Sequence, residues 1–176
     1  MFKIDDDVIA FPKNIVDYAI SLEAQNKTVV YDGFRSYNQF FSRKKGKWAI
    51  PYEVYRNKTV PPYNLGFAVL FSQEAINAIY RASFHVPRVY GTPRQRFPVE
   101  DVFTGICAKY AGIKPRRNRQ FLINVRQLRH RSKVNQCAIL SVLAIHGLRD
   151  YKLDIYHHES EDLRRKNLCP DPPDMF

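Results

Sequence analysis

Apolar residues recur along this chain with two different periods, and the alternation between them outlines its elements. Ile15, Val16, Ala19, Ile20 and Leu22 share one helical face. With Pro12 tolerated in a first turn, they predict a helix from about Pro12 to Gln25. "GFAVLFS" is a continuous apolar run of buried-strand type, and Ser72 at its end is a natural N-cap for a helix over "QEAINAIYRASF". "FPVEDVFTGICAKYAGIKP" predicts a further helix, with Glu100 and Asp101 in its first turn and Gly112 and Pro115 marking its end. "MFKI" reads as the end of a strand left through the loop "DDD", and "TVVYDG" as a short strand ending at Gly33. "FLINV" and "CAILSVLAIHG" are strand-like and lead to a last helix near Asp150 to Arg165. From Phe34 to Tyr63 the pattern is irregular, basic at "RKKGKW" and then rich in rings and prolines at "WAIPYEVYRNKTVPPY", which suits a loop that forms a binding wall. Strands alternating with helices, without an internal repeat or linker, predict one α/β domain over residues 1–169 and a disordered tail over 170–176.

Composition narrows the partners. The 176 residues are 45% hydrophobic and 14% aromatic, enough for a real core. Lys and Arg number 28 against 17 Asp and Glu, a formal charge of +11 that favours anionic partners. The basic stretches "RKKGK", "PRQR", "KPRRNR" and "RQLRHR" are dispersed over several loops without a nucleic-acid motif, so a solvated basic surface is expected and nucleic acid is not. No run approaches the length of a spanning helix and "MFKIDDD" is no signal peptide, so the chain as written is expected to be soluble. Cys107, Cys137 and Cys169 match no zinc spacing. Sequons at Asn26 and Asn57 lean toward a secretory compartment.

Three groups of residues could carry chemistry, and each has a plain structural alternative. Asp5, Asp6 and Asp7 lie beyond a strand end, where carboxylates suit a hard divalent cation bridging to phosphates, or else they complement the dipole of a following helix. An aspartyl-phosphate phosphatase would want Asp-x-Asp after a longer strand than "MFKI". Glu100 and Asp101 could supply a general base or simply open a helix. His146 closes an apolar run as a structural residue or a metal ligand, whereas His157 and His158 read as surface residues.

Taken in order, these segments resemble the β1,3-galactosyltransferase and β1,3-N-acetylglucosaminyltransferase family of Golgi glycosyltransferases, from Lys3 to Cys169. "KIDDDVIAF" is similar to the family's DxD segment, and "KWAIPYEVY" with "VPPYNLGFAVLFS" to its Lys-Trp, Pro, Pro-x-Tyr and Gly-rich strand. "VEDVFTGICAKYAGIKP" resembles its Glu-Asp-Val signature, and "CAILSVLAIHGL" its late Cys, apolar strand and His. The resemblance implies a GT-A-like α/β fold, truncated at its N-terminus, and a hexosyltransferase that uses a UDP-sugar and inverts at the anomeric carbon.

On that reading Asp5, Asp6 and Asp7 form the nucleotide-sugar motif. Asp7, with Asp5 and His146, holds Mn2+ or another divalent cation, and Asp101, with Glu100 beside it, is the catalytic base. Trp48, Tyr55, Tyr63 and Gly66 become substrate-binding candidates, with core packing standing beside that role for the aromatics. The donor would be UDP-galactose, ranked first, or UDP-N-acetylglucosamine, and the acceptor a glycan on a glycoprotein or glycolipid. The parent would be a type II protein on the lumenal face of the Golgi membrane, attached through an anchor that this chain does not carry. The likeness also implies a Cys107–Cys137 disulfide. Two departures bear on the acceptor side: Ala68 stands where the family carries a second Gly, and "HVPRVYGTPRQRFP" is longer than usual. The alternative from another class is a catalytically inactive remnant or a basic polyanion-binding module.

Overall fold

The computed structural model describes residues 1–36, 40–86, 97–124, 126–127, 136–147, 158, 160–166 and 169. The chain forms two compact units interleaved in sequence, one from Met1–Phe2 and Thr28–Arg117, the other from Lys3–Lys27 and Asn118–Phe176. Both mix strands and helices, as the alternating pattern predicts.

The first unit is organised on a mixed sheet of order β1-β4-β3-β5. Its strands are β3 (Tyr31–Arg35), β4 (Asn64–Phe71) and β5 (Arg116–Arg117), with Phe2 of β1 (Phe2–Ile4) at the sheet edge. β3 runs antiparallel to β4 and parallel to β5. β3 also continues two residues past Gly33, the expected end of that strand. Asp32, fully buried on the central strand, would be very costly unpaired. Arg116 answers it with two contacts, Nε to Oδ1 at 2.9 Å and Nη2 to Oδ2 at 2.9 Å.

Helix α2 (Gln73–Ser83) starts where Ser72 Oγ accepts the Ala75 amide at 3.2 Å, the expected N-cap. Helix α3 (Glu100–Tyr110) ends in a Schellman turn. The Gly112 amide donates to the Lys109 carbonyl and the Ile113 amide to that of Ala108, with Gly112 at φ +71°. α3 buries Val102, Ile106 and Cys107 against Ile50, Val54, Val60 and Tyr63, while Ala108 joins Tyr31, Val69 and Phe71.

In the irregular stretch before β4, one residue of the basic run does structural work that its composition conceals. The Arg43 guanidinium donates to the carbonyls of Ile50 at 3.0 Å, Tyr55 at 2.8 Å and Lys58 at 3.3 Å, and to that of Asn57, and lies 4.3 Å over the Tyr52 ring.

The second unit holds a sheet of order β2-β7-β6. β2 (Val8–Ala10), absent from the sequence-based outline, pairs antiparallel with β7 (Ala144–His146), which runs parallel to β6 (Phe121–Leu122). β2 also separates Asp5, Asp6 and Asp7 from helix α1 (Pro12–Ala24), whose first turn has no acid, so the helix-dipole reading of "DDD" fails.

Two further corrections belong to this unit. The run "CAILSVLAIHG" is not one strand: residues Gln136–Ser141 form a 3-10 helix and only Ala144–His146 extend. α1 buries Asn14 and Leu22 and leaves Val16 and Ile20 exposed. The Val142 carbonyl decides that rotation, since Asn14 Nδ2 donates to it at 2.6 Å while Asn14 Oδ1 accepts from Arg164 at 2.5 Å. α1 closes on Asn26 at φ +54°, in the left-handed region that Asn tolerates better than most residues, again with a Schellman pair of bonds.

Residues 158 and 160–165 are helical, in keeping with the last helix expected. The tail 170–176 and most of "HVPRVYGTPRQRFP" lie outside the described residues.

The disulfide joins Cys137 to Cys169, not to Cys107, whose thiol is buried in α3 within the other unit. The Cα atoms of Cys137 and Cys169 lie 5.7 Å apart, inside the range a disulfide spans.

Non-reducing peptide mapping should therefore recover a Cys137–Cys169 pair. Cys137→Ser should lower unfolding stability by about 3–4 kcal/mol, the chain-entropy value for a bridge of this span. A Cys107-containing cross-link would contradict the assignment. Gly105→Ala tests the seat of α3. An added Cβ would overlap the Tyr63 side chain and come within 3.2 Å of its Cα. Helix propensity alone favours alanine by about 0.5–1 kcal/mol. The expected result in urea denaturation is the opposite sign, a loss of about 1–3 kcal/mol.

Candidate functional site

Two clusters of the sequence-selected residues form, one in each unit. In the second unit, antiparallel pairing of β2 with β7 puts Val8 opposite His146, and the Gly147 amide donates to the Asp7 carbonyl at 3.2 Å. The register carries the side chains together as well: His146 Nε2 stands 3.3 Å from Asp7 Oδ2. The other ring nitrogen, Nδ1, is 3.2 Å from the Ile123 carbonyl. A carbonyl only accepts, so this contact selects the tautomer with hydrogen on Nδ1 and leaves the Nε2 lone pair directed at a carboxylate oxygen. Two acceptors face to face call for a shared cation or a proton. That donor set, one imidazole nitrogen and one carboxylate, fits a divalent ion that takes its remaining ligands from phosphate and water.

Asp5, Asp6 and Asp7 are all exposed. The Asp5 carboxylate is turned to Lys3 Nζ at 3.0 Å. Among the described residues no group of three His, Cys, Asp or Glu side chains converges, so the chain offers Asp7 and His146 as a pair and not a closed cage.

The first unit holds the other cluster. Asp101, in the first turn of α3, is half-buried. Its Oδ2 accepts the Gly66 amide of β4 at 3.2 Å and its Oδ1 the Val102 amide at 2.8 Å. A carboxylate held at both oxygens by backbone donors is oriented more tightly than a solvated one. Glu100 beside it is exposed. Asp101 thus combines the helix-opening and site readings, with a cross-element bond that a simple cap would not need.

The aromatic candidates separate. Tyr63 is 6% exposed and packs in the core, with Phe41 at a ring distance of 6.2 Å. Trp48 is 58% exposed, with Lys47 Nζ 4.5 Å from its ring. Tyr55 accepts a hydrogen bond from Asn57 Nδ2 at 3.2 Å and meets the Phe97 ring edge-on at 6.3 Å. Gly66 contacts Asp101 through its backbone, so the structure brings together Asp101, Gly66 and the buried Tyr63 but not Trp48.

Sequence reasoning missed Tyr31 and Asn64. The Tyr31 hydroxyl accepts the Asn64 amide at 3.2 Å, and Asn64 Nδ2 donates to the Tyr31 carbonyl at 3.0 Å. Burial pushes the Tyr31 hydroxyl well above the ordinary tyrosine range, against the Asn64 hydrogen bond and with help from the Asp101 charge. Tyr63 is raised for the same first reason, opposed by a bond to Ser36 and aided by Asp101. The Ile123 carbonyl behind His146 carries no sequence signal at all, because it is a backbone group.

Comparison with known proteins identifies the family. Residues 1–119 match the family model described as Galactosyltransferase. The chain is 28% identical over 151 residues to UDP-GlcNAc:betaGal beta-1,3-N-acetylglucosaminyltransferase 7 of Rattus norvegicus, covering 84% of this chain and 36% of that protein. It is 27% identical over 154 residues to N-acetyllactosaminide beta-1,3-N-acetylglucosaminyltransferase 2 of Mus musculus, covering 87% and 36%. Against beta-1,3-galactosyltransferase bre-5 of Caenorhabditis elegans it is 30% identical over 146 residues, covering 83% and 41%. The chain therefore spans well under half the length of these relatives. No helix among the described residues is long and apolar enough to cross a membrane.

The raised tyrosines predict an alkaline limit to stability. A group whose pKa is higher folded than unfolded contributes stability that is intact below the unfolded value, about 10 for tyrosine, and lost as pH rises above it. Tyrosinate absorbance for Tyr31 should therefore develop only together with unfolding, and Tyr31→Phe should flatten the fall of stability above about pH 10. An unchanged alkaline slope in both Tyr31→Phe and Tyr63→Phe would refute the reading.

Proposed function

Because this chain belongs to the galactosyltransferase family, we propose that it supplies the cation-binding and base residues of a β1,3-hexosyltransferase with a GT-A fold, acting in the Golgi lumen. The observation that carries the reading is the Asp7–His146 pair, an imidazole nitrogen 3.3 Å from a carboxylate oxygen on adjacent strand ends. The relatives' names speak of both N-acetylglucosaminyl and galactosyl transfer, so UDP-N-acetylglucosamine and UDP-galactose are the donors to test. The acceptor is a glycan hydroxyl on a glycoprotein or glycolipid. A disulfide between Cys137 and Cys169 suits an oxidising lumen.

In this mechanism Asp7 and His146, with Asp5, would hold a divalent cation, manganese first, which would supply positive charge against the departing diphosphate. The Ile123 carbonyl keeps the His146 proton on Nδ1, so Nε2 remains a donor of its lone pair. Asp101 takes the proton from the acceptor hydroxyl as its oxygen attacks the anomeric carbon from the face opposite the nucleotide, which inverts that centre. The Gly66 and Val102 amides hold the Asp101 carboxylate in place for that transfer.

Calorimetric titration of UDP with and without manganese tests the reading. Wild type should bind only with the metal, and Asp7→Ala and His146→Ala should each weaken binding about tenfold or more. Asp101→Asn should keep UDP binding and lower transfer by about 10²–10⁴-fold. Metal-independent UDP binding that survives Asp7→Ala would overturn the assignment.

A further inference from the structure

The C-terminal end of α3 borders a feature that the proposed reaction does not use. A cavity of about 590 Å³ opens between the segment before β4 and the turn after α3, and the described residues that line it belong to the first unit. A second cavity of about 330 Å³ shares Tyr55, Asn57, Pro61 and Lys109 with it. Asp101 and Glu100 line neither. Asp101 is in the first turn of α3 and Lys109 in the last, so about 12 Å of helix axis separates them.

The lining has a distinct chemistry. Lys109 and Lys114 contribute positive charge, and no carboxylate lines either cavity among the described residues. The undescribed positions of this unit, 37–39 and 87–96, contain no Asp or Glu. The walls are carbon faces: the Tyr55 ring, Val60 and the prolines at 61, 62 and 115. Asn57 and Thr59 add an amide and a hydroxyl that can both donate and accept. Gly112 lines the same cavity, and a Cβ built there would meet nothing within 4 Å, so backbone is open to a ligand at that point.

Cations without lining carboxylates select an anion, carbon walls select a ligand with apolar faces, and the amide and hydroxyl select one rich in hydroxyls. A sugar ring bearing a sulfate or carboxylate has all three, and the larger cavity is in the size range of small-molecule sites. We propose that this cavity is a binding site for an acidic saccharide, one or two sugar units carrying sulfate or carboxylate, separate from Asp101. The site needs no metal and involves no bond-making step. Tyr55, selected from the sequence as a sugar-facing ring, takes its place here and not beside Asp101.

The test is calorimetric titration of the purified chain with a sulfated heparin disaccharide in about 0.15 M salt, where loose surface attraction is screened. Lactose serves as the neutral counterpart and inorganic sulfate as the bare anion. The disaccharide should bind without manganese and equally well to Asp7→Ala, and more tightly than either control. Lys109→Glu with Lys114→Glu should weaken it about tenfold or more. The same charge change at Lys44 and Lys45, in the exposed basic run, should leave it unaltered. UDP binding in manganese should be the same in both double variants, which separates failure of this site from failure of the nucleotide site. Equal weakening by the two double variants, sulfate binding as tight as the disaccharide, or loss of binding in Asp7→Ala would each overturn the proposal.

Discussion

The antiparallel pairing of β2 with β7 is the constraint on which the second unit depends. Three residues near the start of the chain meet three from its last third, and the closure of that long loop has to be compensated by what the pairing buries. Ile9 and Ile145, opposite each other in the register, enter one core with Phe11, Leu122, Ile139 and Val142. The same pairing brings Asp7, just before β2, beside His146 at the end of β7. A slip of one residue would turn the alternate side chains to the other face, removing the isoleucines from the core and separating the carboxylate from the imidazole together. Stability and chemistry in this unit therefore rest on the same hydrogen bonds.

The first unit solves a different problem. Its central strand carries Asp32 into the interior, where Arg116 must answer it, and replacing either partner alone would leave an uncompensated charge. α3 then has to lie close enough for the Gly66 amide to reach Asp101, and Gly105 is what permits that approach beside Tyr63. The helix thus presents its two ends to different tasks. Its first turn orients a carboxylate, and its last turn, with the Schellman closure at Gly112, borders the basic cavity.

The positive charge of the chain also divides once the structure is known. Arg43 is spent on backbone carbonyls, Arg116 on Asp32, and Arg117 lies 5.7 Å over the Phe34 ring, so these parts of "RKKGK" and "KPRRNR" are structural. Lys109 and Lys114 line a cavity, which no count of basic residues could reveal. The α/β pattern, helices α2 and α3, the Ser72 cap and the Gly112 stop were legible because propensity and capping act over a few neighbouring residues. The split of "CAILSVLAIHG" into a 3-10 turn and a short strand was not, because a short apolar run suits any buried conformation.

By itself, the sequence determined the local elements with strong signals and, through ordered motifs, the family and the residues worth testing: Asp5, Asp6, Asp7, Asp101 and His146. Those signals are short-range in the chain or reside in residue identity. Tertiary structure alone decided that Cys137 joins Cys169, that α1 turns Asn14 inward to satisfy the Val142 carbonyl, and that the Ile123 carbonyl sets the tautomer of His146. It also divided the aromatics, burying Tyr63 and lining a cavity with Tyr55. The reason is common to all four: each depends on a partner remote in sequence, often a backbone group identical in every residue, and only the folded chain brings that partner within reach.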